Sequence, residues 1–576
     1  MEKPIADLHC HPSLKPTNNS KLPNLWKGAN NISTRRLFRN PSLGDRLRKL
    51  AIDLFLKNMA KYTQSNLASC YEGNNKLLFF ALYPPERPFM KPARPFRKGT
   101  RSHQKLSKKI FKNLAIDSKV IRALTGFSEE TAASYLDNIY NSETIDYFED
   151  LLNEYQRIVK ENGKPYQVPG YPTPARLKMI RNYKEYTETN KFEIAGIITV
   201  EGAHALARYK NEDLFEKENI EELDDNSRSL LEQSFVSNIE TLKNPDEMAY
   251  TPFFITFSHH FNNLISGHAK SFKDAPNKII PGFSNVFDQR KGLDKGFTDF
   301  GKKLITDHLL SKKNGKRILV DTKHMSLQCR DEYLAIVNNF WKQKKDRIPI
   351  VCSHTAINGI STRAESKKRK DTNQLDRRAY VSRWDINLTD EDIIDIFDSD
   401  GIIGICMHDG RMPGGKFKAL VKQETRAHGS LVRVQRLHTQ MFLTNIFHVV
   451  RINLSHIMEL NKTATPKRHM EEAWKTVCLG TDFDGIIDPF DHFNAANMLN
   501  EFKVRCKEAI QYNFNPIEER KRAKILHVGE HSSRPYGKAE LEELMMGMTP
   551  QEIVDKVFSD NLLFFMSKYF TDEYLM

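Results

Sequence analysis

The 576-residue sequence lacks the features that mark several large classes of protein. No apolar run approaches the roughly 18 residues that a membrane-spanning helix needs, and the first residues do not have the basic and apolar regions of a cleaved signal peptide. The seven cysteines form no CxxC pair, which argues against a disulfide framework and against a structural zinc knuckle. We therefore expect a globular protein of a reducing compartment, the cytoplasm, with no membrane partner.

Two common hydrolase motifs are also absent. The sequence has no HExxH, the helix-borne zinc motif of many peptidases, and no GxSxG, which carries the serine nucleophile of many esterases. The segment GRMPGGK at 410–416 is close to a phosphate-binding loop, but Phe417 stands where that loop needs Ser or Thr to hold magnesium. We therefore do not expect a nucleotide-binding loop.

The formal charge of +14 is distributed unevenly. Nine Lys and Arg and no acidic residue lie between Arg87 and Lys109, a stretch interrupted by prolines, and Arg363–Arg378 is a second basic stretch. Basic stretches of this kind are more typical of a solvated loop than of a binding surface, because only Phe89 and Phe96 could stack on bases. Nucleic acid is therefore not the partner that we expect.

Eight short apolar runs recur along the sequence, separated by segments of helical period. Strands that are apolar on both faces and alternate with helices are typical of a parallel sheet covered by helices. Eight of them predict an α/β fold of the closed (β/α)8 TIM-barrel type. The predicted strands are Pro4–His9, Lys76–Tyr83, Glu193–Glu201, Phe253–His259, Arg317–His324, Ile348–His354, Gly401–His408 and Val477–Asp484.

The spacing of these runs divides the chain into three parts. Residues 1–84 hold the first two strands, 85–190 form a helical, basic insertion or lid, and 191–576 hold the rest of the barrel. Thr549, Pro550 and Glu552 form a capping box that predicts a closing helix. The other predicted helices are Leu47–Leu67, Leu106–Tyr155, Leu214–Leu242, Phe297–Leu310, Asp331–Trp341, Asp390–Phe397 and Leu431–Leu460. Four histidines in or next to the last helix are expected at the surface, His428, His438, His448 and His456.

Ionisable side chains stand at the ends of seven of the eight predicted strands. They are His9 and His11, Glu201, His259, His324, His354, His408, and Asp482 with Asp484. In a barrel of this type the active site lies at the C-terminal ends of the strands. His9 and His11 are two apart on an extended segment and therefore point the same way. Two histidine pairs with a carboxylate able to bridge them predict two divalent metal ions, with zinc the expected metal.

The segments DLHCH, VEGAHAL, FITFSHHFNN, ILVDTKHMS, IVCSHTA and LGTDFDG, in this order, resemble the membrane (renal) dipeptidase family of the amidohydrolase-like superfamily. The stretch GMTPQEIVDKVFSDNLL resembles the closing helix of that family. The resemblance covers about residues 1–12 and 193–570, and it implies a metallopeptidase that acts on dipeptides or similar small molecules and forms a homodimer.

The resemblance also implies a role for each site residue. Glu201 would bridge two zinc ions, with His9 and His11 on the first ion and His324 and His354 on the second. Asp482 would accept the proton of the bridging water and pass it to the leaving amine. His259 would hydrogen-bond the oxyanion that forms on the substrate.

Two positions depart from the pattern of the family. The dipeptidases usually have HxD on the first strand, whereas position 11 is His here. The family also places an arginine that binds the substrate carboxylate directly before an N-x-x-D segment, but Ile386 precedes Asn387–Asp390. Arg383 and Arg363 are the nearest candidates, since pairing a planar carboxylate needs a guanidinium group.

The leading hypothesis is therefore a binuclear zinc hydrolase that cleaves the amide bond of a dipeptide or similar small amide through a hydroxide that bridges the metals. A second hypothesis keeps the metals but makes the substrate a phosphoester, because barrel nucleases and phosphoesterases share the HxH motif. A third makes the chain an inactive barrel that serves as an interaction scaffold. The sequence leaves open the substrate, its stereochemistry, the native metal and the role of residues 13–190.

Overall fold

A computed structural model provides the structure of the protein. It describes residues 2–29, 62–90, 118–272, 288–368, 378–428, 431–514, 524–529 and 532–576. Residues 47–61 of the predicted helix Leu47–Leu67, the first part of Leu106–Tyr155 and most of both basic stretches lie outside these ranges. Residues 62–66 are described and are not helical, and a helix begins only at Leu67, where the prediction ends it.

Eight parallel strands, numbered β1 to β8 along the chain, form one sheet in sequential order. β1 and β8 meet beyond their ends, where Cys10 forms a parallel bridge to Phe483 and the His11 N–H donates to the Phe483 carbonyl at 2.8 Å. These contacts make the sheet a (β/α)8 barrel, as predicted. The strands are β1 Ile5–Cys10, β2 Asn75–Leu82, β3 Glu193–Glu201, β4 Phe254–Thr256, β5 Leu319–Asp321, β6 Val351–Thr355, β7 Ile402–Ile405 and β8 Val477–Leu479.

Several observed strands end earlier than the sequence predicts. His259, His324, His408 and Asp482 follow their strands instead of ending them. His324 and Asp482 have φ of 66° and 63°, in the left-handed region where a side chain leaves the strand direction. These positions therefore depart from strand geometry at the mouth of the barrel.

Helices surround the barrel, and the long ones are amphipathic or buried. The α-helices are Leu14–Thr17, Leu67–Glu72, Ser118–Thr125, Glu129–Asn141, Tyr147–Glu161, Tyr183–Thr187, Asn211–Glu216, Asp225–Lys243, Asp299–Lys303, Leu327–Lys344, Arg363–Lys368, Asp390–Asp398, Gly415–His428, Leu431–Leu460, Leu499–Tyr512, Lys538–Met545, Pro550–Asp555, Asn561–Tyr569 and Asp572–Leu575, with π-helical turns at Leu304–Leu309 and Lys556–Asp560. No helix in the described ranges combines the length and the hydrophobicity that a membrane crossing requires.

The segment between β2 and β3 contains strands as well as helices. Ala175–Met179 pairs in parallel with the start of β3 and antiparallel with Pro165–Tyr166, while Thr144–Asp146 pairs with Arg208–Lys210. Four of the helices lie within this segment, and Tyr147–Glu161 packs its apolar face onto the main core. This part of the chain is therefore attached to the barrel wall through its own strands and helices.

Two side chains of the helix Leu431–Leu460 do not lie where the sequence predicts. The helix is observed at the predicted bounds, but His438 and His448 are buried and not at the surface. His448 Nε2 lies 2.7 Å from Asp390 Oδ1, and the His438 ring stacks on Phe490. The prediction failed because this helix is covered along most of its length and not on one face only.

Candidate metal centre

The carboxylate of Glu201 lies at the centre of a group of histidines at the mouth of the barrel. Glu201 ends β3, and its side chain is almost completely buried. Its two oxygens lie within 3.6 Å of the Nε2 atoms of two histidine pairs. The distances are 3.5 Å to His9, 3.2 Å to His11, 3.6 Å to His324 and 3.4 Å to His354.

The two histidines of each pair also lie close to each other. His9 Nε2 lies 3.1 Å from His11 Nε2, and His324 Nε2 lies 3.2 Å from His354 Nε2. Ligand atoms around a tetrahedral zinc ion, bound at about 2.0–2.1 Å, are about 3.3 Å apart. Glu201 with each pair therefore has the spacing of a three-ligand metal site, and the two sites share the carboxylate.

A hydrogen-bond network sets the tautomers of two of these histidines. The Ser353 hydroxyl lies 3.2 Å from His9 Nδ1 and 2.9 Å from His354 Nδ1, and it donates to Asp321 Oδ2 at 2.6 Å. Since the hydroxyl has one proton and gives it to Asp321, it accepts from both Nδ1–H groups. The Nε2 atoms of His9 and His354 are then unprotonated, which is the form that binds a metal.

The charge state of the second histidine pair also fits metal binding. Burial lowers the pKa of His324 and His354 well below the ordinary value, so both imidazoles are neutral at pH 7. The nitrogen and carboxylate donors of this group are those that zinc takes in catalytic sites. The described residues at the mouth thus fit two divalent ions.

Asp482 lies beside the first histidine pair. Its Oδ1 is 3.7 Å from His11 Nε2 and 4.0 Å from His9 Nε2, and its backbone N–H donates to the His9 carbonyl. Burial and the negative charge of Glu201 raise the pKa of Asp482 to about 7. A carboxyl group with such a pKa can both accept and release a proton near neutral pH. The turn after β8 that carries Asp482 needs glycine at position 485, because a Cβ atom there would lie 2.1 Å from Asp482 Oδ1.

His259 lies on the side of Glu201 that faces the segment after β2. Its Nε2 is 3.4 Å from Glu201 Oε1, and its Nδ1 is 2.6 Å from Glu86 Oε2. Burial alone lowers the pKa of His259, but the two carboxylates raise it to about 10. His259 is therefore an imidazolium with one N–H fixed by Glu86 and the other directed into the site.

The two arginines predicted to hold a substrate carboxylate are engaged elsewhere. The Arg363 guanidinium group contacts Asp331 at 2.5 Å, Asp395 at 2.6 Å and Asp392 at 2.9 Å. Arg383 donates to the carbonyls of Asn358, Gly359 and Gly529 at 2.6, 2.7 and 2.8 Å. These contacts hold loops and helices together, so both assignments to the substrate remain predictions without geometric support.

Sequence reasoning missed two residues that the structure brings to the site. Glu86 follows the one predicted strand whose end has no ionisable residue, and Ser353 directly precedes His354. Extending the search a few residues past each strand would have found Glu86, whereas the role of Ser353 depends on contacts between strands.

Comparison with solved structures finds matches among metallopeptidases. A dipeptidase described as a metallopeptidase is 13% identical, with 94% of this chain and 97% of that chain covered and a TM-score of 0.38. A metallopeptidase of Rhodobacter sphaeroides, solved with a phosphinate mimic of L-Ala-D-Ala, is 13% identical, with 98% and 99% covered and a TM-score of 0.41. A probable dipeptidase of Pseudomonas aeruginosa is 11% identical, with 88% and 89% covered and a TM-score of 0.39.

No protein-family model matches the chain, and a search of curated proteins finds no match. The structural likenesses have TM-scores below 0.5. The function proposed next therefore rests on the geometry of the metal centre.

Proposed function

We propose that the protein is a binuclear metal-dependent hydrolase that cleaves the amide bond of a dipeptide or a similar small amide. The observation that carries this proposal is the position of Glu201, whose carboxylate lies within 3.6 Å of four histidine Nε2 atoms arranged as two pairs. His9 and His11 would hold one ion, His324 and His354 the other, and Glu201 both. Nitrogen and carboxylate donors favour zinc.

Two such ions would polarise the substrate carbonyl and lower the pKa of a water molecule at the site. Asp482 then supplies the proton transfer, because its pKa of about 7 allows it to accept a proton from water and to release it to the leaving amine. An amide needs this second step, since the amine leaves only when it is protonated. A carboxyl group with an ordinary pKa near 4 would hold the proton too weakly for this exchange.

His259 fits the stabilisation of the negative charge that develops on the carbonyl oxygen. Its Nε2–H points towards Glu201, and its Nδ1–H is held by Glu86 at 2.6 Å. A fixed cationic donor in a buried site stabilises such an oxyanion without reorganisation during the reaction. The imidazolium form persists at neutral pH because two carboxylates flank the ring.

The cysteines support a proposal for the compartment. All seven are buried and unpaired, as expected for a protein that folds in a reducing environment. We propose the cytoplasm, with a small molecule as substrate, and the homodimer implied by the sequence resemblance remains a prediction.

The test is a Glu201→Gln variant assayed for both metal content and hydrolysis. We expect the wild-type protein, loaded with zinc, to cleave members of a panel of L,L and L,D dipeptides and to lose this activity with a chelator. Glu201→Gln removes the shared charge, so it should bind less metal and hydrolyse no dipeptide. Glu543→Gln, at an exposed helix position, is the matched control and should behave as the wild type.

Three results would contradict the proposal. A fully active Glu201→Gln protein would show that the carboxylate does not hold the metals. Metal-dependent cleavage of bis(p-nitrophenyl) phosphate with no cleavage of any dipeptide would favour a phosphoesterase, and a wild-type protein that binds no metal would favour an inactive scaffold.

A further inference from the structure

A cavity of about 220 Å³ opens at the end of the barrel opposite the metal centre. Gly401 and Thr476 line it and directly precede β7 and β8, so the cavity lies at the N-terminal ends of these strands. One wall comes from the helix Asn561–Tyr569. Catalysis in barrels of this type takes place at the C-terminal ends of the strands. The cavity is therefore separate from the site of the proposed reaction.

Cations outnumber carboxylates in the lining of this cavity. The charged residues that line it are Arg347, Arg468, Lys475, Lys568, Asp400 and Glu472. Asp400 Oδ2 accepts from Lys568 Nζ at 2.7 Å and from the Tyr569 hydroxyl at 2.8 Å. Lys475 Nζ is 3.9 Å from Glu472 Oε2, which is too far for a hydrogen bond. A cleft lined by an excess of one charge concentrates ions of the opposite charge.

The two arginines of the cavity are not neutralised by a close carboxylate. Arg468 Nη1 is 3.5 Å from Asp398 Oδ1, and the same carboxylate also contacts His456 Nε2 at 3.0 Å. Arg347 forms no ion pair with a carboxylate in the part of the chain that the structure describes. Its Nη1 donates to the Asp398 carbonyl at 3.3 Å. Most of the N–H donors of both guanidinium groups therefore remain available to a ligand.

Aromatic rings hold both guanidinium groups in place. The Arg468 group lies over the ring of Phe397, 5.0 Å from its centre, and the Arg347 group lies over the ring of Trp341 at the same distance. Stacking of this kind uses the face of the guanidinium group and leaves the N–H donors at its edge. The rings thus orient the two groups without occupying their hydrogen-bond donors.

A third ring brings the two lysines of the cavity together. Phe564 is 40% exposed, with Lys568 Nζ 4.4 Å and Lys475 Nζ 5.4 Å from its ring centre. The two ammonium groups are thus no more than about 10 Å apart, a distance over which salt at about 0.1 M screens a charge only in part. An anion bound near this ring would relieve their repulsion.

We propose that this cavity binds the phosphate group of a small molecule. Two guanidinium groups suit phosphate because each can donate two parallel hydrogen bonds to its oxygens, while the ammonium groups add positive charge. The charge of a phosphate monoester at neutral pH, close to −2, matches the excess in the lining. The volume is below the roughly 300–1,000 Å³ of pockets for drug-sized ligands. The ligand class is therefore a small phosphate monoester, with the Phe564 ring as an apolar wall.

The test is calorimetric titration of phenyl phosphate and of inorganic phosphate into the zinc-loaded protein. We expect saturable binding of phenyl phosphate that weakens as NaCl is added. Arg468→Gln removes charged hydrogen bonds, so the affinity should fall by about 10- to 100-fold. Lys475→Gln should lower it to a smaller extent, because an ammonium group is a point charge without paired donors.

The side chains of Arg468 and Lys475 are 34% and 41% exposed, so both variants should fold. Arg228→Gln, which removes a similarly exposed arginine outside the cavity, is the matched control and should bind phenyl phosphate as the wild type does. Phosphate also binds zinc ions, so the titration is repeated with Glu201→Gln. Binding in the cavity should persist in this variant, because Glu201 lies at the other end of the barrel.

Tighter binding of phenyl phosphate than of inorganic phosphate supports a phosphate monoester as the ligand. Equal affinities support free phosphate, which has the same chemistry. Absence of saturable binding of both probes at low salt overturns the inference. An affinity that is unchanged in both Arg468→Gln and Lys475→Gln, or binding that is lost in Glu201→Gln, overturns it as well, because the probe would then lie outside the cavity.

Discussion

At the scale of single residues, the site depends as much on the groups that hold the ligands as on the ligands themselves. Glu86 is an example, because it touches no proposed metal ligand but fixes the Nδ1 side of His259 at 2.6 Å and also accepts from the Phe261 N–H at 3.1 Å. Its charge, together with that of Glu201, keeps the imidazole protonated. Glu86 therefore acts through His259 as a positioning residue.

Replacing Glu86 with Gln should change the pH dependence of hydrolysis. The raised pKa of His259 means that the imidazolium is present below about pH 10 and is lost as the pH rises through that value. Without the Glu86 charge this pKa falls, so the alkaline limb of the kcat/KM profile should move to lower pH. At pH values above the shifted limb, we expect kcat/KM of the variant to be lower than that of the wild type by about 10-fold or more. The zinc content of the two proteins is measured as well and should be equal.

Glu154→Gln is the matched control for this prediction. Glu154 is also a buried carboxylate near β2, but it accepts from the Ser13 hydroxyl and the Tyr83 N–H and does not contact His259. The Glu154→Gln variant should have a lower free energy of unfolding than the wild type but the same pH profile of kcat/KM. An alkaline limb that stays at the same pH in Glu86→Gln would show that Glu86 has no electrostatic role in the reaction.

At the scale of elements, the sequence predicts the strands better than their ends. All eight predicted strands exist, because parallel strands buried on both faces produce apolar runs that are easy to recognise. The bounds of β4, β5 and β8 are shorter than predicted, since His259, His324 and Asp482 leave the ladder to reach the site. Helix bounds are predicted well for Leu431–Leu460, but the burial of its histidines depends on tertiary neighbours.

The residues of the site, like the strands, are predicted where the sequence pattern is local and are missed where their role depends on contacts between distant segments. His9, His11, Glu201, His324 and His354 are found from the pattern of strand ends, because a barrel brings all such ends together. The contact of Glu86 with His259, by contrast, depends on the path of the chain after β2, which the pattern of strand ends does not predict. The structure also shows that Arg363 is occupied by neighbouring carboxylates, which one sequence alone does not disclose.

The capping box of the helix Pro550–Asp555 gives a prediction at this scale. Thr549 Oγ1 accepts from the Glu552 N–H at 3.3 Å, while Glu552 accepts from the Thr549 N–H at 2.7 Å. Thr549→Ala removes one of these bonds and should lower the free energy of unfolding by about 1 kcal/mol. Urea denaturation checks this value, and Thr549→Ser, which keeps the hydroxyl, should restore most of it. Equal midpoints for Thr549→Ala and the wild type would contradict the prediction.

At the scale of the whole molecule, the barrel is closed by contacts between the beginning and the end of the sequence. The loop after β8 holds Asp484, which accepts from the Ser65 N–H, the Gln64 N–H and the Lys15 ammonium group, the last at 2.8 Å. Lys15 and Asp484 are both buried. The metal centre lies directly above this closure, because His9, His11 and Asp482 stand on the same two segments.

Asp484→Asn should therefore destabilise the whole fold. It removes the negative charge that pairs with the buried Lys15 ammonium group at 2.8 Å, and breaking a buried ion pair by replacing one partner costs about 3–5 kcal/mol. Urea denaturation should show a much lower midpoint than for the wild type. Asp572→Asn, which weakens the partly exposed pair with Lys316, is the comparison and should cost no more than about 1 kcal/mol. Similar midpoints for the two variants would contradict the assigned role of the buried pair.

The hydroxyl of Ser353 joins the two halves of the metal centre, since it accepts from His9 on one side and from His354 on the other. The same oxygen therefore holds both imidazoles with Nε2 towards the site before any ion binds. The Glu201 carboxylate belongs to both halves in the same way. The site is thus organised in advance, so an entering ion would require little reorganisation of its ligands.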